Sequence, residues 1–195
     1  MVRNLLLSGI TVLCLAFLFI PGLTQDVGNQ TLAASNDDVV KRGEYLTVIG
    51  ACHDCHTPKK MGPKGPELDM TLALSGHRSN LKLPDVPAGV IGPDKWGAIG
   101  NNDFTAWAGP WGVSFAMNLT PDEETGMGTW NEAMFLKAMR TGKHLGEGRD
   151  ILPPMPWPYM AQATDADLKA IFAYLQSIKP IKNAVPDPIP PAADK

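Results

Sequence analysis

Cys52–His53–Asp54–Cys55–His56 concentrates more reactive chemistry than any other stretch of this 195-residue chain. Two thiols separated by two residues fit a disulfide, a redox-active dithiol or half of a zinc site. Zinc needs a second ligand pair, and His77 and His144 are too far apart to supply a finger-like one. A redox dithiol needs a neighbouring βαβ pattern, which is absent. The histidine directly after the second cysteine opens another chemistry. Two thiols one helical turn apart add to the two vinyl groups of a haem, and the next imidazole then points at the iron. The spacing therefore predicts one covalently bound haem c, attached at Cys52 and Cys55, with His56 on the iron.

Iron held by one histidine needs a sixth ligand or leaves an open site for chemistry. The chain offers nine methionines and three further histidines. His53 lies inside the attachment loop, which directs it away from the iron. Met134 and Met139 fall on the apolar stripe of an expected helix, where core packing accounts for them. Met155 sits in Leu152–Pro153–Pro154–Met155–Pro156–Trp157–Pro158. Prolines lock φ, so this loop can hold a thioether at a fixed depth without regular secondary structure. Met155 is therefore the expected sixth ligand. Met61 and Met160 lie in loops without such a frame, and His77 and His144 remain alternatives.

These residues must be positioned after export. Arg3 precedes sixteen uncharged residues, Leu5 to Ile20, and Pro21–Gly22 breaks the run. That is the layout of a secretory signal peptide, with an uncleaved N-terminal anchor as the alternative because no clean A-x-A site follows. Residues 1–25 are read as this leader, 26–37 as a linker, 38–183 as one domain and 184–195 as a Pro-rich tail. The length suits a single domain, and a hydrophobic content of 44% suffices for a core. A net charge of −3 without a basic cluster excludes a nucleic-acid binder.

Three helices are legible. Asp37–Asp38 opens one that carries Val39, Val40, Tyr45, Leu46 and Ile49 into the cysteine motif. Gly43 in its interior costs about 1 kcal/mol relative to Ala, which a close helix crossing would explain. Trp130 to Thr141 repeats apolar residues at helical spacing, with Thr129 and Glu132 as a capping box and Gly142 ending it. Asp165 to Ser177 follows the cap residue Thr164. No segment shows strand alternation, so an all-α domain is expected. Residues 58–128 form a long loop rich in Gly, Pro and Trp, too aromatic for disorder, which covers part of the haem, presents a docking surface, or is an insertion that merely fills space.

Several stretches resemble the class I c-type cytochromes, and most closely the haem domains of the cytochrome c subunit of bacterial membrane-bound alcohol dehydrogenases. They are Arg42–Gly43–Glu44–Tyr45–Leu46, the Cys52–His56 motif, Asn118–Leu119–Thr120–Pro121, Thr125–Gly126–Met127–Gly128–Thr129–Trp130, Met139–Arg140–Thr141–Gly142, Pro153–Pro154–Met155–Pro156–Trp157 and Asp165–Leu175. They span about residues 38 to 180 in the family's order. The resemblance implies cytochrome c-like helices around the haem, thioethers at Cys52 and Cys55, ligation by His56 and Met155, and Gly43 opposite Tyr174. The family's subunits carry several haem domains, whereas one attachment motif occurs here, and Met61 to Gly109 matches weakly.

The expected function is a mono-haem one-electron carrier in a respiratory chain, without catalytic residues. It sits in the periplasm or on the periplasmic face of the membrane, taking electrons from a dehydrogenase and passing them to an oxidase or another cytochrome. A peroxidase-like enzyme with an open sixth position is the alternative, and needs His77 or His144 as distal acid–base group. Arg140 is a candidate partner for a haem carboxylate. Lys59, Lys60 and Lys64 suggest a basic docking rim. The tail, residues 184–195, is either a partner-binding extension or a disordered end, the latter preferred.

Overall fold

The computed structural model describes residues 35–191. The leader and most of the linker lie outside the described residues. Among the described residues no helix is long and apolar enough to cross a membrane. Among the described residues five α-helices frame the domain: α1 (Asn36–Ile49), α2 (Cys52–His56), α3 (Glu132–Thr141), α4 (Trp157–Met160) and α5 (Asp165–Ser177).

Local chemistry explains each long helix. Ser35 caps α1 in a capping box with Asp38, so the acidic pair lies inside the first turn and the cap precedes it by two residues. Asn131, and not Thr129, caps α3 by accepting the amide of Met134. Gly142 closes that helix at φ 67°, as its expected role at the C-terminus requires. Thr164 accepts the Asp167 amide at the start of α5, whose bounds are those read from the sequence. The core is Phe135, Ala138 and Met139 from α3, Leu168, Ile171, Phe172 and Leu175 from α5, with Leu74 and Met127 from the intervening loops. The rings of Phe135 and Phe172 stand 5.4 Å apart, the offset separation that aromatic pairs favour. Helix α1 crosses α5 at Gly43.

The fold is mixed α/β, which corrects the all-α expectation. Between α2 and α3 lie β1 (Lys59–Gly62) and β2 (Gly65–Leu68), an antiparallel hairpin, then β3 (Ile99–Gly100), β4 (Ala106–Gly109) and β5 (Gly112–Phe115), a three-stranded antiparallel sheet in that order. Both hairpins turn through two residues, Pro63–Lys64 and Pro110–Trp111, and Gly65 and Gly112 take the positive φ that follows. These strands have at most four residues, and the buried positions of β4 are Ala106 and Ala108. Alternation carried by alanine and glycine leaves no hydrophobic period to read.

The segment after α5 is ordered against the domain. Ile181 and Asn183 donate their amides to the Thr120 and Thr125 hydroxyls. Ile189 then exchanges both backbone hydrogen bonds with Val113, at 2.8 and 2.9 Å, on the edge of β5. Through residue 191 the tail is a strap and not the disordered end preferred from sequence.

Candidate functional site

Ala51 in the left-handed conformation (φ 55°) turns the chain sharply from α1 into the single helical turn α2. That turn places Cys52, Cys55 and His56 along the wall of an apolar cavity of ≈ 440 Å³. No disulfide joins Cys52 and Cys55. Burial pushes the Cys52 thiol up to about 11 and the Cys55 thiol above its ordinary value.

His56 is 8% exposed, and its Nδ1–H donates to the carbonyl oxygen of Met117 at 2.8 Å. A carbonyl only accepts, so the proton is on Nδ1 and Nε2 carries the lone pair. Burial holds the imidazole below its ordinary pKa, hence neutral, the form that ligates. The carbonyl is itself pinned. Asn118 accepts the Thr120 amide and hydroxyl, and donates to the Ile181 carbonyl at 2.7 Å. Gly76 lets this segment lie close: a Cβ there would stand 2.5 Å from the Ala116 oxygen. The Gly76 amide donates to the His56 carbonyl, fixing the imidazole from its backbone side.

Met155 lines the same cavity, between Pro154 and Pro156. So do Met117, Met127, Met139 and Met160, together with Trp107, Trp130, Phe135 and Pro188. The other candidates separate. Met61 is 79% exposed on β1, and Met134 faces outward from α3. His53 bonds Thr57 through Nδ1. His77 is fully buried outside the cavity, its Nδ1 against the Thr105 hydroxyl and its ring 4.9 Å from that of Phe115. His144 does line the cavity, edge-on to Trp130.

The donor set fits a thioether-linked haem: two thiols on one helical turn, a buried imidazole with a fixed tautomer, a thioether and an otherwise apolar lining. Two sequence expectations change. Arg140 pairs with Asp165 at 2.5 Å and donates to the Ala161 carbonyl, tying α3 to α5 away from the cavity. Arg149 is the one lysine or arginine in the cavity lining among the described residues. Lys59 donates to the carbonyls of Asp54 and Asp103 at 2.7 and 2.8 Å and sits over the Phe104 ring, so its ammonium is a staple. Met117 and Ser114 were not marked by sequence, because one acts through a backbone carbonyl and the other is an ordinary serine in a strand.

No family model matches the chain. The chain is 30% identical over 148 residues to a subunit of the nicotinate dehydrogenase of Pseudomonas putida, covering 76% of this chain and 9% of that protein. It is 30% identical over 154 residues to the gluconate 2-dehydrogenase cytochrome c subunit of Pantoea cypripedii, 78% of this chain and 26% of the relative. Against the cytochrome c subunit of a quinone alcohol dehydrogenase from Gluconacetobacter polyoxogenes, identity is 35% over 155 residues, 78% of this chain and 24% of the relative. The chain thus spans about a quarter of these relatives or less. Over three quarters of its length the chain is similar to the cytochrome c subunits of membrane-bound dehydrogenases, which supports a cytochrome c like theirs.

Proposed function

We propose that this cytochrome binds one haem c covalently through Cys52 and Cys55, with His56 and Met155 as iron ligands, and carries single electrons from a dehydrogenase to an oxidase or another cytochrome. One observation supports the reading most: all four residues line a single apolar cavity in which His56 is already held, through Met117, in its ligating tautomer. A haem bound there supplies a ferrous–ferric couple, and nothing more is asked of it. His56 presents Nε2, made more basic by the Nδ1–H to carbonyl bond. Met155 presents a soft sulfur, which raises the potential relative to a second histidine. The apolar walls disfavour the extra charge of the ferric state. Arg149, exposed at the margin of the lining, offers a cation to a haem carboxylate. No side chain is assigned a catalytic role.

We place the domain on the periplasmic side, free or held by the N-terminal segment, because residues 1–25 have the layout of an export signal. The peroxidase-like alternative would use His144 as its distal group, since His77 is buried outside the cavity. The carrier reading is preferred because Met155 shares the cavity with His56.

Acid–acetone extraction and mass spectrometry test the reading. The mature protein should retain its haem in the precipitate and carry the mass of one haem. Cys52→Ala or Cys55→Ala should leave one thioether at most, and the double variant none. Release of the haem from the unmodified protein into the solvent sinks the covalent assignment. A five-coordinate high-spin spectrum favours the peroxidase-like alternative.

A further inference from the structure

We propose that Ser114 is the positioning residue of the Met155 loop, a role that rests on Met155 being the sixth ligand. The loop Leu152–Pro158 contains four prolines, so only Leu152, Met155 and Trp157 have an amide to donate. The Met155 amide is spent within the loop, on the Leu152 carbonyl at 3.3 Å. The loop must therefore be tied down largely through its carbonyl oxygens, by donors from elsewhere in the fold.

Ser114 is such a donor. It lies on β5, is 7% exposed and lines the cavity. Its hydroxyl donates to the Pro153 carbonyl at 2.5 Å, two residues before Met155. The Trp111 indole N–H donates to the same Ser114 oxygen at 3.2 Å. A hydroxyl has one proton and two lone pairs. With Trp111 occupying an acceptor direction, the proton is aimed at the loop, and the Trp107 carbonyl at 3.4 Å is the poorer claimant. The donor is also mounted rigidly. Trp107 on β4 is the register partner of Ser114, and Val113 beside it is paired with Ile189 of the strap. The long segment between α2 and α3 thus reaches across the cavity and fixes the depth of the thioether.

Displacement of Met155 by imidazole, followed in the ferric protein, tests this. Ser114→Ala should bind imidazole about two- to tenfold more tightly, the range for one hydrogen bond. It should also lose the sulfur-to-iron absorption band at lower pH. Ser114→Thr, which keeps the proton, should behave as the parent. An Ala variant with parental imidazole affinity and parental pH profile overturns the proposal. Should that variant fail to fold, Trp111→Phe decides: it leaves the proton but frees its direction, so a smaller shift the same way is expected, and no shift overturns the proposal. A parent protein without the sulfur band refutes the Met155 assignment itself, a distinct outcome read before any variant is made.

Discussion

Gly43 on α1 lies against the backbone of α5 so closely that a Cβ there would stand 1.9 Å from the Ala170 carbonyl oxygen and 2.8 Å from the Tyr174 Cβ. The sequence resemblance paired Gly43 with Tyr174, and the nearer obstacle is the Ala170 backbone. A backbone oxygen cannot rotate away as a side chain can, so the two helices must part to admit a methyl group. Gly43→Ala should therefore destabilise the protein by about 3 kcal/mol, despite the ~1 kcal/mol of helix propensity that alanine contributes. Denaturant unfolding of the holoprotein measures it, and a variant as stable as the parent contradicts the crossing.

Met155→Ala removes the thioether without touching the His56 side of the cavity. The ferrous protein should then bind carbon monoxide readily, the sulfur band should vanish, and the potential should fall. Retention of the parental low-spin spectrum would point to Met160 or His144, which line the same cavity.

Arg149→Gln takes a positive charge from the cavity lining. Positive charge disfavours the ferric state, so its loss should lower the redox potential while the absorption spectrum stays that of the parent. A spectroelectrochemical titration reads both, and an unchanged potential removes Arg149 from the role of carboxylate partner.

The basic rim narrows to Lys60 and Lys64, whose ammonium groups form no ion pair among the described residues, whereas that of Lys59 is committed to two carbonyls. Lys60→Gln with Lys64→Gln should slow electron transfer with the native partner and flatten its dependence on ionic strength. Lys59→Gln should instead cost stability, by about 1 kcal/mol. Rates indifferent to the double change leave the rim without a steering role.

Acid should weaken the fold through loop and cap carboxylates. Thr125 holds Asp122 below the ordinary 3.8, Thr71 does the same for Asp69, and Ser35 for Asp38. For a depressed carboxyl the unfolded chain binds more protons. Its contribution is thus complete above the unfolded value and is lost as pH falls through the folded one. Unfolding measured between about pH 5 and about pH 2 should show stability falling below roughly pH 4. The slope should lessen in the Asp38→Asn, Asp69→Asn, Asp122→Asn triple variant.

What was legible in the sequence follows a physical pattern. Helix α5 was readable at both ends because Thr164 is a capping hydroxyl and Leu168, Ile171, Phe172 and Leu175 repeat at helical spacing. Cys52, Cys55, His56 and Met155 stand out in the sequence because their chemistry is local, a motif and a proline frame, and the fold brings all four to the lining of one cavity. The two sheets were not, since Gly109, Gly112, Ala106 and Ala108 carry no hydrophobic period. The partners of the site were also hidden. His56 finds its acceptor 61 residues away, and Ser114 finds Pro153 39 residues away. Such links depend on tertiary closure, which no spacing rule encodes.

The strap has a consequence for the order of assembly. Pro188 completes part of the cavity wall, and Ile189 is hydrogen-bonded to Val113, yet both follow the cysteines far along the chain and are made well after them. Until they arrive, the wall stands open on that side while the cysteines, made far earlier, are already in place. A Cβ on Gly112 would meet the Ile189 oxygen at 2.0 Å, so the strap seats against a groove kept clear for it. One wall of the cavity is thus supplied by a segment made after the rest of the pocket, and a bulky group can enter sideways before that segment seats.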